Sequence, residues 1–141
     1  MLVKTAKTPE ELQDVYRIRK EVFVEEQNVP PELEIDAFDQ SATHFIAYDE
    51  ETPVAAARLR ITDEGYGKLE RICVVKSHRG KSIGKKIMQK MEQEINQQGF
   101  HKAKLNAQIH AQDFYQKLGY EVTSGEFMDA GIPHVTMIKN V

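Results

Sequence analysis

Apolar residues along this chain recur at two different periods, and the periods alternate. Leu12, Val15, Tyr16, Ile18, Val22 and Phe23 follow helical spacing. Ahead of them, Thr8, Pro9 and Glu11 form a helix start: a capping hydroxyl, a proline at a position whose N–H has no partner anyway, and a glutamate that closes a capping box. The pattern breaks at residues 28–31. Ile83, Ile87, Met88, Met91 and Ile95 trace one face of a second helix, and Gly99 is placed to stop it. Residues 111–118 predict a short helix ended by Gly119. Strands are expected at 2–6, 44–48, 54–61, 68–75, 102–108, 120–123 and 134–139, the second and third joined as a hairpin by the turn at 49–53. Residues 31–41 read as an acidic loop with a short helical turn. A loop rich in Gly, Asp and Pro separates the last two strands. The order β-α-loop-βββ-α-β-α-ββ predicts an α/β (α+β) fold, a mixed central sheet of about six or seven strands flanked by helices.

No repeat or linker interrupts this order, so the 141 residues are expected to form one domain, 1–141. The net charge of −3 argues against a general nucleic-acid binder. A single cysteine, Cys73, forbids an internal disulfide, and no Cys/His cluster has zinc spacing, so no metal is expected. No apolar run is long enough for a bilayer, and MLVKTAKTPE lacks a signal segment. The expectation is a cytoplasmic protein without a membrane partner.

The charge is unevenly placed. Residues 71–91, RICVVKSHRGKSIGKKIMQKM, hold seven of the nineteen Lys and Arg and no Asp or Glu. A strand, a glycine-bearing basic loop and a helix start make an anion site: the first helical turn has unpaired N–H groups and the positive end of the macrodipole. A Walker A loop ending at Gly80-Lys81-Ser82 would need glycine where Val75 stands, and the GxGxxG fingerprint fails at Ser82. What is left, Arg79-Gly80-Lys81-Ser82-Ile83-Gly84, resembles the R-x-x-G-x-G/A signature of the GNAT N-acetyltransferase superfamily, with Ser82 where the signature has its first glycine. If that position needs positive φ, serine costs about 1–2 kcal/mol, which a hydroxyl donated to phosphate would offset. AQIHAQDFYQKLGY at 107–120 resembles a second family segment, N-x-x-A-x-x-F-Y-x-K-L-G-F, with Gln108 for Asn. VFVEEQNVPPELEID, THFIAYD and GIPHVTMIKN extend the similarity nearly end to end with the ElaA/YjcF-type branch.

The resemblance implies acetyl-CoA as cosubstrate and an amine as acceptor. It places the pantetheine arm along Ile72, Cys73 and Val74, with the neighbouring strand at 102–108 splayed away to admit it. The diphosphate falls on main-chain N–H groups of Arg79, Gly80, Lys81, Ser82, Ile83 and Gly84. Lys81, Lys85 and Lys86 are candidates for outer phosphates or are solvated helix residues. Gln108 is expected to bond the pantetheine amides. Tyr115 is expected to protonate the departing thiolate, and Phe114 beside it to be core. Cys73 reads as packing. Glu70 is the nominated base, although strand alternation leaves its face open and Arg71 beside it can pair with a carboxylate. Acceptor contacts are expected from Glu26, His44, His110 and His134, each histidine having a structural alternative. Glu25, Glu32, Glu34, Asp36 and Asp39 either draw in a cationic amine or form a solvated acidic loop. A homodimer is a family-level expectation. Against the enzyme stand a non-catalytic acyl-CoA-binding regulatory module and, less well supported, a plain nucleotide-phosphate binder.

Overall fold

The computed structural model describes all 141 residues. It is α/β as expected, with eight strands instead of six or seven. The chain divides into two compact units, residues 1–60 with 69–91, and residues 61–68 with 92–141. No helix is long and apolar enough to cross a membrane.

In the first unit, β1 (Leu2–Ala6), β2 (Thr43–Asp49), β3 (Thr52–Ile61) and β4 (Gly67–Val74) lie in that order, and β1–β2 and β2–β3 pair antiparallel. Phe45, Ile46 and Ala47 of β2 and Val54, Ala55, Ala56 and Ala57 of β3 are all fully buried. Strands covered on both faces carry continuous apolar runs in place of alternation. Helix α1 (Pro9–Arg19) begins with the expected capping box: the Glu11 N–H donates to Thr8 Oγ1 at 3.1 Å, and the Thr8 N–H donates to Glu11 Oε1 at 3.1 Å. After Arg19 the helix widens into a π-helical segment, Lys20–Glu26. Widened turns of this kind gather at functional sites. Asn28, at φ 60°, ends it.

The segment after it departs from expectation. Instead of a solvated acidic loop, α2 (Pro31–Glu34) and a 3₁₀ turn (Ala37–Gln40) turn their acids inward. Glu34 and Asp39 are 4% and 5% exposed, while Leu33, Ile35 and Phe38 stand out at 54%, 57% and 47%. Guanidinium groups cause the inversion. Buried Arg19 holds Glu34 through Nε (2.8 Å) and Nη2 (2.7 Å), and Asp39 through Nη1 (2.6 Å). Arg58, 1% exposed, bonds Asp36 (2.7 Å), Asp39 (3.0 Å) and Glu70 (2.9 Å). Arg60 adds a second contact to Glu70, and Arg71 reaches Glu34 and Asp36, the carboxylate pairing open to it from sequence. Four guanidiniums thus face four carboxylates, which is how buried charge is tolerated.

His44 packs against this cluster. Its Nε2 lies 2.8 Å from the Asp39 carbonyl oxygen, and its Nδ1 is buried without a partner. Burial pushes its pKa below the ordinary 6.5. The guanidiniums of Arg19 and Arg58 hold Asp39 and Asp36 below the ordinary 3.8, against the cost of burial. All three folded values are depressed, so each contribution to stability is complete above the ordinary value and is lost as pH falls. Urea unfolding is therefore expected to show stability declining in two stages, first below pH 6.5 and again below 4.5, where Glu11 and Glu26, also depressed, join the two aspartates. His44→Gln should remove the first stage alone; an unchanged upper stage would mean that another group carries it.

In the second unit, β5 (Lys102–Gln108) pairs antiparallel with β8 (Ile132–Asn140) from Lys102↔Asn140 to Gln108↔His134. β6 (Glu121–Val122) and β7 (Phe127–Asp129) also pair with β8. β7 lies in what the sequence reads as loop: Ala130 and Gly131, at φ 50° and 76°, close a two-residue hairpin turn. Alanine at the first position hides the usual Asn-Gly or Asp-Gly signal. Helix α3 (Ile83–Gln97) runs from the first unit into the second, and its predicted apolar face, Ile83 through Ile95, is buried. Gly67 accommodates Ile95; a Cβ there would lie 2.3 Å from Ile95 Cγ1.

Candidate functional site

The basic run has the geometry of an anion cradle. β4 ends at Val74, a 3₁₀ turn covers Lys76–His78, and α3 opens at Ile83. Between them Gly80 and Ser82 both adopt left-handed backbone, at φ 80° and 62°. Backbone turned in this way directs successive N–H groups toward one side, where they receive an anion together with the unpaired amides of the helix start. Gly80, Lys81, Ser82, Lys85 and Lys86 are exposed around it. Ile83 is buried, so only its backbone faces the cradle, and Gly84 lies in the first turn of α3.

Ser82 therefore carries the strain that its sequence position implied. Ser82→Gly relieves about 1–2 kcal/mol of left-handed strain and adds back about 0.5–1 kcal/mol of unfolded-chain freedom. The expected result is a melting temperature about 1–3 °C higher. A lower melting temperature would show that the serine hydroxyl contributes more to the fold than its backbone costs.

Arg79 behaves differently from the rest of the loop. Its own N–H donates to the Lys76 carbonyl at 3.4 Å, closing the 3₁₀ turn, and so is withdrawn from the cradle. Its Nε donates to the Val74 carbonyl at 3.0 Å, and Nη1 and Nη2 grip the two Glu26 carboxylate oxygens at 2.6 Å each. This pairing holds Glu26 below the usual carboxylate range and Arg79 above its own. Nothing in the sequence brought these two residues together; 53 positions separate them.

On β4, Cys73 is buried while Ile72 and Val74 flank it half-buried. Burial pushes the Cys73 thiol up to about 12, so it is packing, as read. Arg71, at φ 56°, breaks the regular strand just before Ile72. Glu70 accepts hydrogen bonds from both Arg58 and Arg60 at 2.9 Å. Both bonds end on Oε1, so two guanidiniums fix the orientation of this carboxylate. His44, expected among the acceptor contacts, is not one: at 4% exposure, wedged against Asp39, it is beyond the reach of an acceptor substrate. The acids Glu34 and Asp39 are likewise buried partners of arginines, with no access to a cationic amine.

In the second unit, Gln108 and His134 are directly opposed on β5 and β8, so their side chains leave the same face. His110 Nε2 lies 2.6 Å from Gln108 Oε1; an amide oxygen only accepts, so this histidine nitrogen carries the proton. His134 is 8% exposed, its ring stacks on Phe127 at 6.0 Å, and its Nδ1 lies 2.6 Å from the Ile132 carbonyl. By the same reasoning Nδ1 bears the proton, and in the neutral ring the lone pair is at Nε2. Tyr115, on α4 (Gln112–Lys117), is half-buried between Phe114 and Tyr120, with ring centroids 5.1 and 6.3 Å away. Phe114, expected in the core, is instead 41% exposed: six residues of helix have too little inner face to bury both rings.

Known proteins resemble this chain in sequence and fold. The acetyltransferase (GNAT) domain family matches residues 3–141. The chain is 52% identical to the uncharacterized N-acetyltransferase YjcF of Bacillus subtilis over 96% of both chains. It is 30% identical to the protein ElaA of Escherichia coli, over 93% of this chain and 88% of ElaA. Among solved structures, a Lactobacillus plantarum protein provisionally assigned as an N-acetyltransferase superposes with a TM-score of 0.92 at 28% identity, over 99% of this chain and 97% of that one. An aminoglycoside 6'-N-acetyltransferase complexed with coenzyme A superposes with a TM-score of 0.81 at 16% identity, over 99% and 97%, a likeness of fold. The chain belongs to the GNAT acetyltransferase family.

Proposed function

We propose that this protein is an acetyl-CoA-dependent N-acetyltransferase that passes an acetyl group directly to a primary amine, without a covalent enzyme intermediate. The observation that carries the reading is the left-handed pair Gly80 and Ser82 at the mouth of α3, inside a basic run. Backbone N–H groups of residues 80–84 receive the diphosphate in this reading. Lys81, Lys85 and Lys86 surround it with charge. Coenzyme A in the complex of the fold relative accords with this use of the scaffold. When bound, acetyl-CoA supplies an activated thioester.

The chain's own residues supply orientation and protons. Main-chain groups of Ile72, Cys73 and Val74 are suited to align the pantetheine arm as an added strand. In this reading Gln108 bonds the pantetheine amides. Tyr115 gives a proton to the departing thiolate; a phenol of pKa about 10 and a thiol of about 8.5 are close enough for a short transfer. An ammonium acceptor must first lose a proton. With Glu70 held by Arg58 and Arg60, that step falls to His134, whose Nε2 lone pair is set by the Ile132 contact. The test is incubation with acetyl-CoA and a mixed amine library while free thiol release is followed. Turnover on any amine supports the enzyme. Binding without turnover would favour a non-catalytic acyl-CoA-binding module, and absence of CoA binding would end both readings.

A further inference from the structure

Three hydrogen bonds hold the side chain of Arg79, the first residue of the signature. Nε is on the Val74 carbonyl at 3.0 Å, and the two terminal nitrogens are on the two oxygens of Glu26 at 2.6 Å. Exposed ion pairs usually contribute little, but a bidentate fork fixed on a third side is the geometry in which they do. The contacts join three elements of the first unit: the end of β4, the start of the anion loop, and the last residue of the π-helical segment.

We infer that Glu26 and Arg79 form a positioning pair that holds the loop in its anion-binding shape, and that the Arg79 guanidinium does not itself grip phosphate. Two further observations agree. The Arg79 N–H is spent on the Lys76 carbonyl, and three of the five guanidinium N–H donors are spent on Val74 and Glu26. Residues 80–82 beyond it must hold two left-handed φ angles, a shape that a loosely tethered loop abandons. The pair also ties the cofactor loop to the segment around Glu26, so ordering of one is transmitted to the other.

The inference rests on the reading of residues 79–84 as a coenzyme A loop, and titration calorimetry with CoA on Glu26→Gln, Arg79→Gln, Arg79→Lys and the Glu26→Gln/Arg79→Gln double variant tests it. Each single change is expected to weaken CoA binding about fivefold to tenfold. The double variant should be no weaker than the worse single, since one contact is lost either way. Lysine should not rescue, because it keeps the charge and loses the fork. Full affinity in Arg79→Lys, tighter or unchanged binding in Glu26→Gln, or additive losses would each overturn the pair as a positioning device. Failure of the unaltered protein to bind CoA would overturn the cofactor reading instead. Hydrogen exchange at residues 79–84 then decides the pair separately: Glu26→Gln should speed it, and unchanged exchange would overturn the tie.

Discussion

Arg19→Met is expected to cost about 3–5 kcal/mol of folding stability, read from urea unfolding at neutral pH. The guanidinium is fully buried and is bonded to two carboxylates that are themselves nearly buried, Glu34 and Asp39. Methionine replaces the stem but leaves both acids short of a partner. Arg58 and Arg71 compensate in part, since they also reach Asp39 and Glu34. Against a typical total of about 5–15 kcal/mol, the loss is a large share. Arg19→Met combined with Glu34→Gln should lose less than the sum of the two single variants, because the second change removes a charge that the first left stranded. A loss below about 1 kcal/mol for Arg19→Met would mean that the cluster is hydrated and behaves as a surface ion pair.

Tyr115→Phe is expected to lower turnover about a hundredfold, near the lower bound for loss of a general acid and worth about 2.7 kcal/mol in the barrier. The phenyl ring keeps the contacts with Phe114 and Tyr120, so stability should move by no more than about 0.5–1 kcal/mol. CoA affinity should be unchanged, which separates a proton donor from a packing residue. Equal losses in turnover and affinity, or no loss in either, would assign Tyr115 to the fold alone.

Much of the candidate site could be read residue by residue. The glycine-bearing loop, the helix it opens and the Tyr115 segment were all legible because each is a local pattern. Ser82 has the left-handed backbone that a signature glycine at its position implies; Gly80, outside the signature's glycines, shares it, and Gly84 lies in α3. Partnerships between distant side chains were not legible. Arg19 lies four residues after Val15 and three before Val22, on the apolar face of α1, and that misplaced charge was the one available signal of a buried cluster. The acidic run at 31–41 was visible, but its direction was not: charge count says nothing about whether an acid faces water or an arginine. Glu70 was nominated from its strand, and only the two arginines beside it reveal its occupation.

By itself the sequence determined the caps, periods and stops of α1 and α3, most of the strand order, and the loop chemistry that points to an anion. These follow from backbone geometry and side-chain spacing within one or two helical turns. Tertiary structure alone decided that Glu34 and Asp39 are interior, that His44 is sealed away, that residues 127–129 form a strand, and that Arg79 belongs to Glu26. The pairings behind those outcomes join residues 3 to 53 positions apart. The free energy of a charge depends on its surroundings, and for these residues the surroundings are assembled only when the chain folds.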